Sequence, residues 1–351
     1  MSHWRETTLG EACELYQPKT ISATEMVDDG DYPVYGANGI VGKYDKFNHA
    51  EPQLLITCRG ATCGAVNVSQ PNSWINGNAM VVKPRDSSIQ LKFLEHLFRG
   101  GVDLQAVITG AAQPQITRQS LAPLKIRVPP LSEQRRIAAI LDQADALRVK
   151  RREALAQLDS LTQSIFIEMF GDPISNPLGW GWEKLESCFQ FKTGKLDSNA
   201  AVENGTYPFF TCSREDLQID TFAFDCEALL LAGNNASADY SVKHYKGKFN
   251  AYQRTYVITL RNQSNSYEYA AFVLENHLAE LKRLSKGSNT KYLTLELMNR
   301  IRIPIPPASL QRQFTTRIAE VNQLRNIFRA SLAELDNLFA SLQHRAFRGE
   351  L

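Results

Sequence analysis

The sequence predicts an α+β fold built by tandem duplication: a mixed unit followed by one long helix, twice over, with the two helices pairing as an antiparallel coiled coil. Three observations lead there. The chain of 351 residues matches itself at a period of half its length. Two stretches carry apolar residues at spacings of three and four over roughly 35 residues, the signature of long amphipathic helices. Between them lie short apolar runs separated by Gly, Asn and Pro, which read as strands and turns.

The duplication comes first because it sets the architecture. GAAQPQITRQSLAPLKIRVPPLSEQRRI, beginning at Gly110, aligns without a gap with GSNTKYLTLELMNRIRIPIPPASLQRQF, beginning at Gly287. Pro129 and Pro130 fall on Pro306 and Pro307, Ser132 on Ser309, and Gln134 on Gln311. Upstream, Trp4 is matched with Trp182, YPVYG at Tyr32 with YPFFT at Tyr207, and PQLLI at Pro52 with EALLL at Glu227. The expected divisions are a mixed unit over 1–130, a helix over 131–171, a linker over 172–181, a second unit over 182–307 and a helix over 308–351.

In each unit the strands are read from LLITCRGATCGAVNV at Leu54 and AMVVKP at Ala79, then from ALLLAGN at Ala228 and TYVITL at Thr255. Helical stretches follow at Ile89 to Phe98 and at Tyr267 to Lys282, giving a small sheet with helical cover. After each Pro-Pro stop, Ser132 and Ser309 are candidate N-caps. The first long helix repeats apolar residues through Ile137, Leu141, Ala144, Leu147, Leu155, Leu158, Leu161, Ile165 and Met169. The second does so through Phe314, Ile318, Val321, Leu324, Phe328, Leu332, Leu335, Leu338 and Leu342. Two such stripes in one chain are most simply buried on each other. GDPISNPLGWGW, from Gly171 to Trp182, ends the first helix.

Several turns carry polar groups without structural duty. Arg59 and Gly60 lie at a predicted hairpin tip, Asn76, Gly77 and Asn78 precede a strand, Asn234 and Asn235 follow one, and Lys243, His244, Lys246 and Lys248 crowd a turn. Such groups on exposed tips bind phosphates or hydrogen-bond base edges; singly, each also reads as a solvated turn. GAAQPQIT and GSNTKYLT precede predicted helix starts, where backbone N–H groups can meet a phosphate. The basic run RVKRR, Arg148 to Arg152, interrupts the first stripe, and Arg325 and Arg329 stand mid-way along the second. These read as a solvated face or a partner-docking surface rather than a track along DNA.

Composition restricts the function classes. Lys plus Arg number 39 against 37 Asp plus Glu, a formal net charge of +2, so a polyanion partner would need local clustering. No signal peptide or membrane span is read, which gives a cytoplasmic expectation. Six cysteines are too few for a disulfide scaffold, and Cys58 with Cys63 lacks a second pair at zinc-site spacing. There is no GxxxxGK[ST] loop around the TGK at Thr193, no HExxH, no GxSxG and no Asn/Asp-Pro-Pro-aromatic motif. The chain reads as non-catalytic, without a metal or cofactor of its own.

PPLSEQRRIAAILDQADALRVKRR from Pro129, SIFIEMFGDP from Ser164 and HRAFRGEL from His344 resemble the repeated helical regions of type I restriction-modification specificity subunits. NGNAMVV from Asn76, TGAAQPQIT from Thr109 and YQRTYVI from Tyr252 are similar to stretches of that family's target-recognition domains. The resemblance implies two recognition domains, each reading half of a bipartite double-stranded DNA site, with helices that set the spacer. It implies docking of two modification subunits and, through them, of restriction subunits, the partners that would hold S-adenosylmethionine, ATP and Mg2+. With the aligned GSNTKYLT, it adds Gln113, Gln115, Arg118, Gln253, Arg254, Asn289 and Lys291 to the DNA-binding candidates. Because TCRGATCG in one half faces LAGNNASA in the other, the target should be non-palindromic. A solitary specificity subunit without its own catalytic genes and a coiled-coil protein adaptor are the alternatives. If the helices act as a ruler, deleting one heptad from each moves one domain along and around the duplex by about 10 Å. The preferred spacer then shortens in a binding selection, and an unchanged spacer refutes the ruler.

Overall fold

The computed structural model describes residues 4–110, 113–235, 240–261, 265–285 and 291–351. The chain divides into two compact units, Met1–Arg152 with Ala330–Leu351, and Glu153–Arg329.

The first unit opens with β1 (Arg5–Thr8), the single turn α1 (Leu9–Ala12) and β2 (Cys13–Tyr16). It continues with β3 (Tyr32–Gly36), β4 (Gly39–Tyr44), β5 (Leu54–Thr57), β6 (Val66–Val68), β7 (Trp74–Ile75) and β8 (Ala79–Pro84). Two sheets result, β2-β8-β5-β6 and β4-β3-β7. The central strands β5 and β8 are apolar throughout because both faces are covered. Leu54, Ile56, Met80 and Val82 join the main core, whereas Leu55, Ala79 and Val81 pack with Tyr35 and Ile75. The helix expected over Ile89–Phe98 is α2 (Leu91–His96), which runs into a π turn over Leu97–Gly101. After α3 (Arg118–Leu121), β9 (Lys125–Val128) pairs antiparallel with β1 and leads into the long helix α4 (Leu131–Phe170).

The second unit repeats the plan with β10 (Gly181–Lys184), α5 (Leu185–Cys188), β11 (Phe189–Thr193), β12 (Tyr207–Phe210), β13 (Leu217–Ile219) and β14 (Phe224–Ala232). Then come β15 (Asn234–Asn235), β16 (Val242–Ala251), β17 (Thr255–Leu260), α6 (Tyr267–Leu284), β18 (Lys291–Tyr292), α7 (Leu295–Met298), β19 (Arg302–Ile305) and the long helix α8 (Ala308–Arg348). Here one sheet, β11-β17-β14-β16-β12-β13, replaces two. The reason is β16, which runs unbroken where the first unit has β6, a loop and β7. Lys243, His244, Lys246 and Lys248 therefore lie on a strand, not in the turn expected for them. His244, Lys246 and Lys248 are exposed while Tyr245, Gly247 and Phe249 alternate with them toward the protein, a period of two that the Lys-Gly composition conceals.

Backbone hydrogen bonds confirm the duplication residue by residue. Gly30 donates to Val27 O at 3.1 Å and Gly205 to Val202 O at 3.4 Å. A Cβ on either would stand 2.7 Å from Tyr44 N or 2.6 Å from Ile219 N, so only glycine fits at both. One match changes: Arg5 pairs with Val128 as Gly181 pairs with Ile305, which places Trp4 opposite Trp180 rather than Trp182.

Each long helix is seated on its domain by a buried glutamine. Gln134, fully buried, donates from Nε2 to Pro129 O and Ser88 O, both at 2.8 Å, and its Oε1 accepts from Gln90 N at 2.8 Å. Gln311 does the same with Pro306 O at 3.0 Å, Asn265 Oδ1 at 3.1 Å and Ser266 N at 2.9 Å. The helices begin at Leu131 and Ala308, so Ser132 and Ser309 lie in the first turn and not at the cap; Pro130 O and Pro307 O accept the first helical bonds.

Within each unit the two helices run antiparallel. In the first, Arg136 Nη2 donates to Leu351 O, and Arg148 Nε reaches Asp336 Oδ1 at 2.6 Å. In the second, Arg325 meets Asp159 at 3.0 Å and Phe166 packs edge-on to Phe314 at 5.5 Å. The basic residues thus serve the helix pair itself. Arg148 and Arg152 share Asp336, and Arg148 also lies 4.3 Å over the Phe339 ring, so this part of the run is not a free basic face. Nor is the apolar stripe one continuous seam. Ile137, Leu141, Phe166, Phe170 and Phe314 are buried in the domain cores, but Leu147, Leu161, Leu324 and Leu338 are 52%, 44%, 39% and 49% exposed. A straight helix of 3.6 residues per turn drifts against a 3.5 pattern, and the ends follow the domains instead.

Replacing Gln134 or Gln311 by Leu strands two acceptors and one donor in a dry site. Each change should cost about 2–4 kcal/mol in denaturant unfolding, while Arg135→Leu on the exposed face of α4 stays within about 0.5 kcal/mol.

Candidate nucleic-acid interface

The tip of the β5–β6 hairpin and its counterpart after β14 are built on one backbone frame. In the first unit Cys58 N donates to Asn78 O at 3.2 Å, Ile116 N to Cys58 O at 2.8 Å and Gly60 N to Pro114 O at 3.2 Å, and Arg59 bridges Gln115. In the second, Gly233 N donates to Arg254 O at 2.7 Å and Leu293 N to Gly233 O at 2.8 Å, and Asn234 pairs with Tyr292. Three elements meet at each tip. The frame therefore places Arg59, Asn78 and Gln115 where the second unit has Asn234, Arg254 and Tyr292.

Arg59, Asn78, Gln113, Gln115 and Arg118 are all exposed. Arg59 has no ion-pair partner among the described residues, which leaves its guanidinium available to an incoming anion or base edge. In the second unit Arg254 is exposed and lies 5.7 Å over the ring of Tyr292, a contact of about 0.5–1 kcal/mol at such a site that pre-orients the guanidinium. Gln253 is exposed beside Asp197 Oδ2 at 3.3 Å. Asn234 is half-buried and accepts the Cys212 S–H at 2.8 Å; burial pushes that thiol up, so it stays a neutral donor. Asn235 and Lys291 pair through their backbones in β15 and β18, and Asn289 lies outside the described residues.

Other candidates are placed differently. Asn76 is 4% exposed and its Oδ1 accepts from Ile21 N at 3.0 Å and Trp74 Nε1 at 3.1 Å, so it locks a loop and cannot reach a ligand. The β16 cations stand along the strand, and all are engaged. Lys243 holds Ser213 O, Arg214 O and Asp216; His244 and Lys246 meet Glu227 at 3.0 Å; Lys248 covers the Phe222 ring at 4.7 Å. Several of the backbone N–H groups expected to cradle a phosphate are also committed, while residues 111–112 and 287–290 of those segments lie outside the described residues. Thr109 and Gln115 exchange bonds of 2.9 and 2.8 Å, and Ser120 N donates to Thr117 Oγ1 at 3.1 Å.

The sequence reading missed a cleft next to Arg254. About 410 Å3 is enclosed by Thr193, Gly233, Gln253, Arg254, Tyr256, Tyr292 and Leu293, and Thr193 and Tyr256 also line an adjoining cleft of about 550 Å3 with Lys192 and Lys195. Burial raises the Tyr256 phenol, whose O–H donates to Leu293 O at 3.0 Å and fixes the wall. Gly194 is obligatory between the lysines, since a Cβ there would lie 1.7 Å from Ala251 O. TGK at Thr193 thus ends β11 beside Lys192 and Lys195, and no sequence motif marks the cleft it lines. Among the described residues, no helix is long and apolar enough to cross a membrane.

The chain is similar to known proteins. A family model described as the type I restriction modification DNA specificity domain matches residues 1–158 and again 177–335. The type I restriction enzyme EcoDI specificity subunit of Escherichia coli is 40% identical over 144 residues, which are 41% of this chain and 30% of that protein. The chain therefore spans less than a third of that relative. The crystal structure of the S subunit of a type I restriction-modification system from M. genitalium superposes with a TM-score of 0.68 at 18% identity, covering 99% of this chain and 96% of that one. A chain from a study of complex assembly and conformational transition of the type I R-M system gives 0.56 at 17% identity, covering 99% and 98%. The likeness to these structures is one of fold. With both halves of its duplication matched in turn, the chain belongs to the type I restriction-modification DNA specificity family.

Proposed function

We propose that this chain is the DNA-reading subunit of a type I restriction-modification complex, each unit reading one half of a bipartite, asymmetric double-stranded target. The observation that carries this reading is the repeated tip frame: one set of backbone bonds presenting different side chains. Arg59 would read guanine through its O6 and N7, and Asn234 at the equivalent place suits adenine N6 and N7. Gln113, Gln115, Arg118 and Asn78 flank Arg59, and Gln253, Arg254 and the lysines of the adjoining cleft flank Asn234. Phosphate contacts by the lysines and Arg118 would fix register without choosing sequence. Asn76 is excluded from this set by its burial.

The chain supplies no catalytic group in this scheme. Two modification subunits would bring S-adenosylmethionine, and restriction subunits ATP and Mg2+. Exposed apolar side chains along both long helices, among them Leu147, Val149, Ile167, Leu324 and Ile327, support a docking role for these helices, because monomeric surfaces rarely leave such groups uncovered in number.

Co-expression with the neighbouring modification subunit and methylation-aware sequencing of host DNA tests the whole reading. Methylated adenine at one two-part, non-palindromic motif is expected; a palindromic motif, or none from an assembled complex, overturns it. Arg59→Ala should cost about 1–3 kcal/mol of discrimination and relax one half-site only, and Arg254→Ala should affect only the other. Relaxation of both half-sites by either change would refute the assignment of one half-site to each unit.

A further inference from the structure

Three side chains from three elements of the second unit converge on one point: Glu227 on β14, His244 on β16 and Glu268 in the first turn of α6. One ligating atom from each lies within 4.8 Å of both others. From this we infer that Glu227, His244 and Glu268 form a site for a divalent transition-metal cation of the Zn2+ class, independent of the DNA-reading tips.

The division of labour among the oxygen atoms supports a site of this kind. Glu227 Oε1 faces His244 Nε2 at 3.0 Å, while its other oxygen is held by Lys246 Nζ at 3.0 Å. Glu268 Oε2 accepts from Thr315 Oγ1 at 2.9 Å, which leaves its second oxygen uncommitted. Glu268 thus has one oxygen oriented by a neighbouring donor and one to offer a cation, the outer-shell pattern that fixes metal-binding carboxylates, while Glu227 Oε1 and His244 Nε2 would exchange their mutual contact for the ion, with release of any proton the ring nitrogen carries. The imidazole is oriented as well, stacked on the Tyr267 ring at 5.5 Å and 16°. Lys246 is 78% exposed and can swing outward as a dication adds its charge. A cleft of about 860 Å3, lined by Glu227, Tyr267, Glu268 and Thr315 among others, gives a hydrated ion access.

One nitrogen and two carboxylate oxygens, with waters completing the shell, suit Zn2+ and its borderline neighbours; Mg2+ prefers oxygen alone. Bound there, the ion would clamp the β14–β16 hairpin to the start of α6 and, through Thr315, to α8.

The test is titration of the metal-stripped full-length chain with Zn2+ by calorimetry, alongside His244→Ala, Glu268→Gln and, as a control in the other unit, His49→Ala. One saturable equivalent is expected, lost in His244→Ala, weakened at least about tenfold in Glu268→Gln and kept in His49→Ala. Zn2+ should also raise the unfolding midpoint of the unaltered chain but not that of His244→Ala. X-ray absorption guards against a variant that fails to fold: the expected shell is nitrogen and oxygen at about 2.0–2.2 Å, whereas sulfur at about 2.3 Å would assign the ion to cysteines and refute the site. Absence of saturable binding, or binding undiminished in a folded His244→Ala, refutes it equally.

Discussion

The architecture rests on one amide group used twice. Gln134 and Gln311 each offer two donors and an acceptor to backbone or side-chain partners that no other described residue satisfies, at the point where a long helix leaves its domain. A carboxylate would face carbonyl oxygens with no hydrogen to give, and an apolar side chain would leave all three partners bare. The amide also fixes rotation. Because its acceptor takes the N–H just before α2 or α6 begins, the long helix can present only one face to the domain. The burial of Ile137 and Leu141, or of Phe314 and Ile318, follows from that.

With the helices anchored, the tips can vary. The bonds Ile116 N to Cys58 O and Leu293 N to Gly233 O have the same length, 2.8 Å, although the tips they support carry Arg59 and Gln115 in one unit and Asn234 and Tyr292 in the other. A rigid frame of backbone bonds with exchangeable side chains lets specificity change without cost to the fold. The whole-chain charge of +2 says little about this, because Lys243 and Lys246 of β16 face carboxylates while Arg59 has none among the described residues.

Much of this was legible in the sequence, and the failures have physical causes. The duplication could be read from self-alignment, the central strands from apolar runs buried on both faces, and the long helices from their 3–4 periodicity. The β16 cations were misplaced because a strand with one wet face rich in Lys and a glycine on the other has the composition of a turn. Asn76 looked like a surface residue because Asn-Gly-Asn favours turns, and burial of one of its asparagines depends on Ile21 and Trp74. Glu227, His244 and Glu268 could not be associated at all, since their meeting depends on how β14, β16 and α6 fold together. The stripe on the long helices was real but over-extended, as spacing does not tell which turns meet a domain and which meet water.

The composition of the first unit bears on how the chain folds during synthesis. Its core includes Ala346, with Phe339, Leu342 and Phe347 packed against it, and the π turn at Gly100 and Gly101 is shaped to receive Gln343 and Phe347. The N-terminal domain emerges first from the ribosome, yet Ile137, Leu141 and Phe93 have no complete cover until the final turns of α8 are made. Such contacts of very high sequence separation are slow to form and leave apolar surface open meanwhile. The first unit therefore closes its core only once α8 has been made, and a chain ending within the second unit would leave that core unsealed.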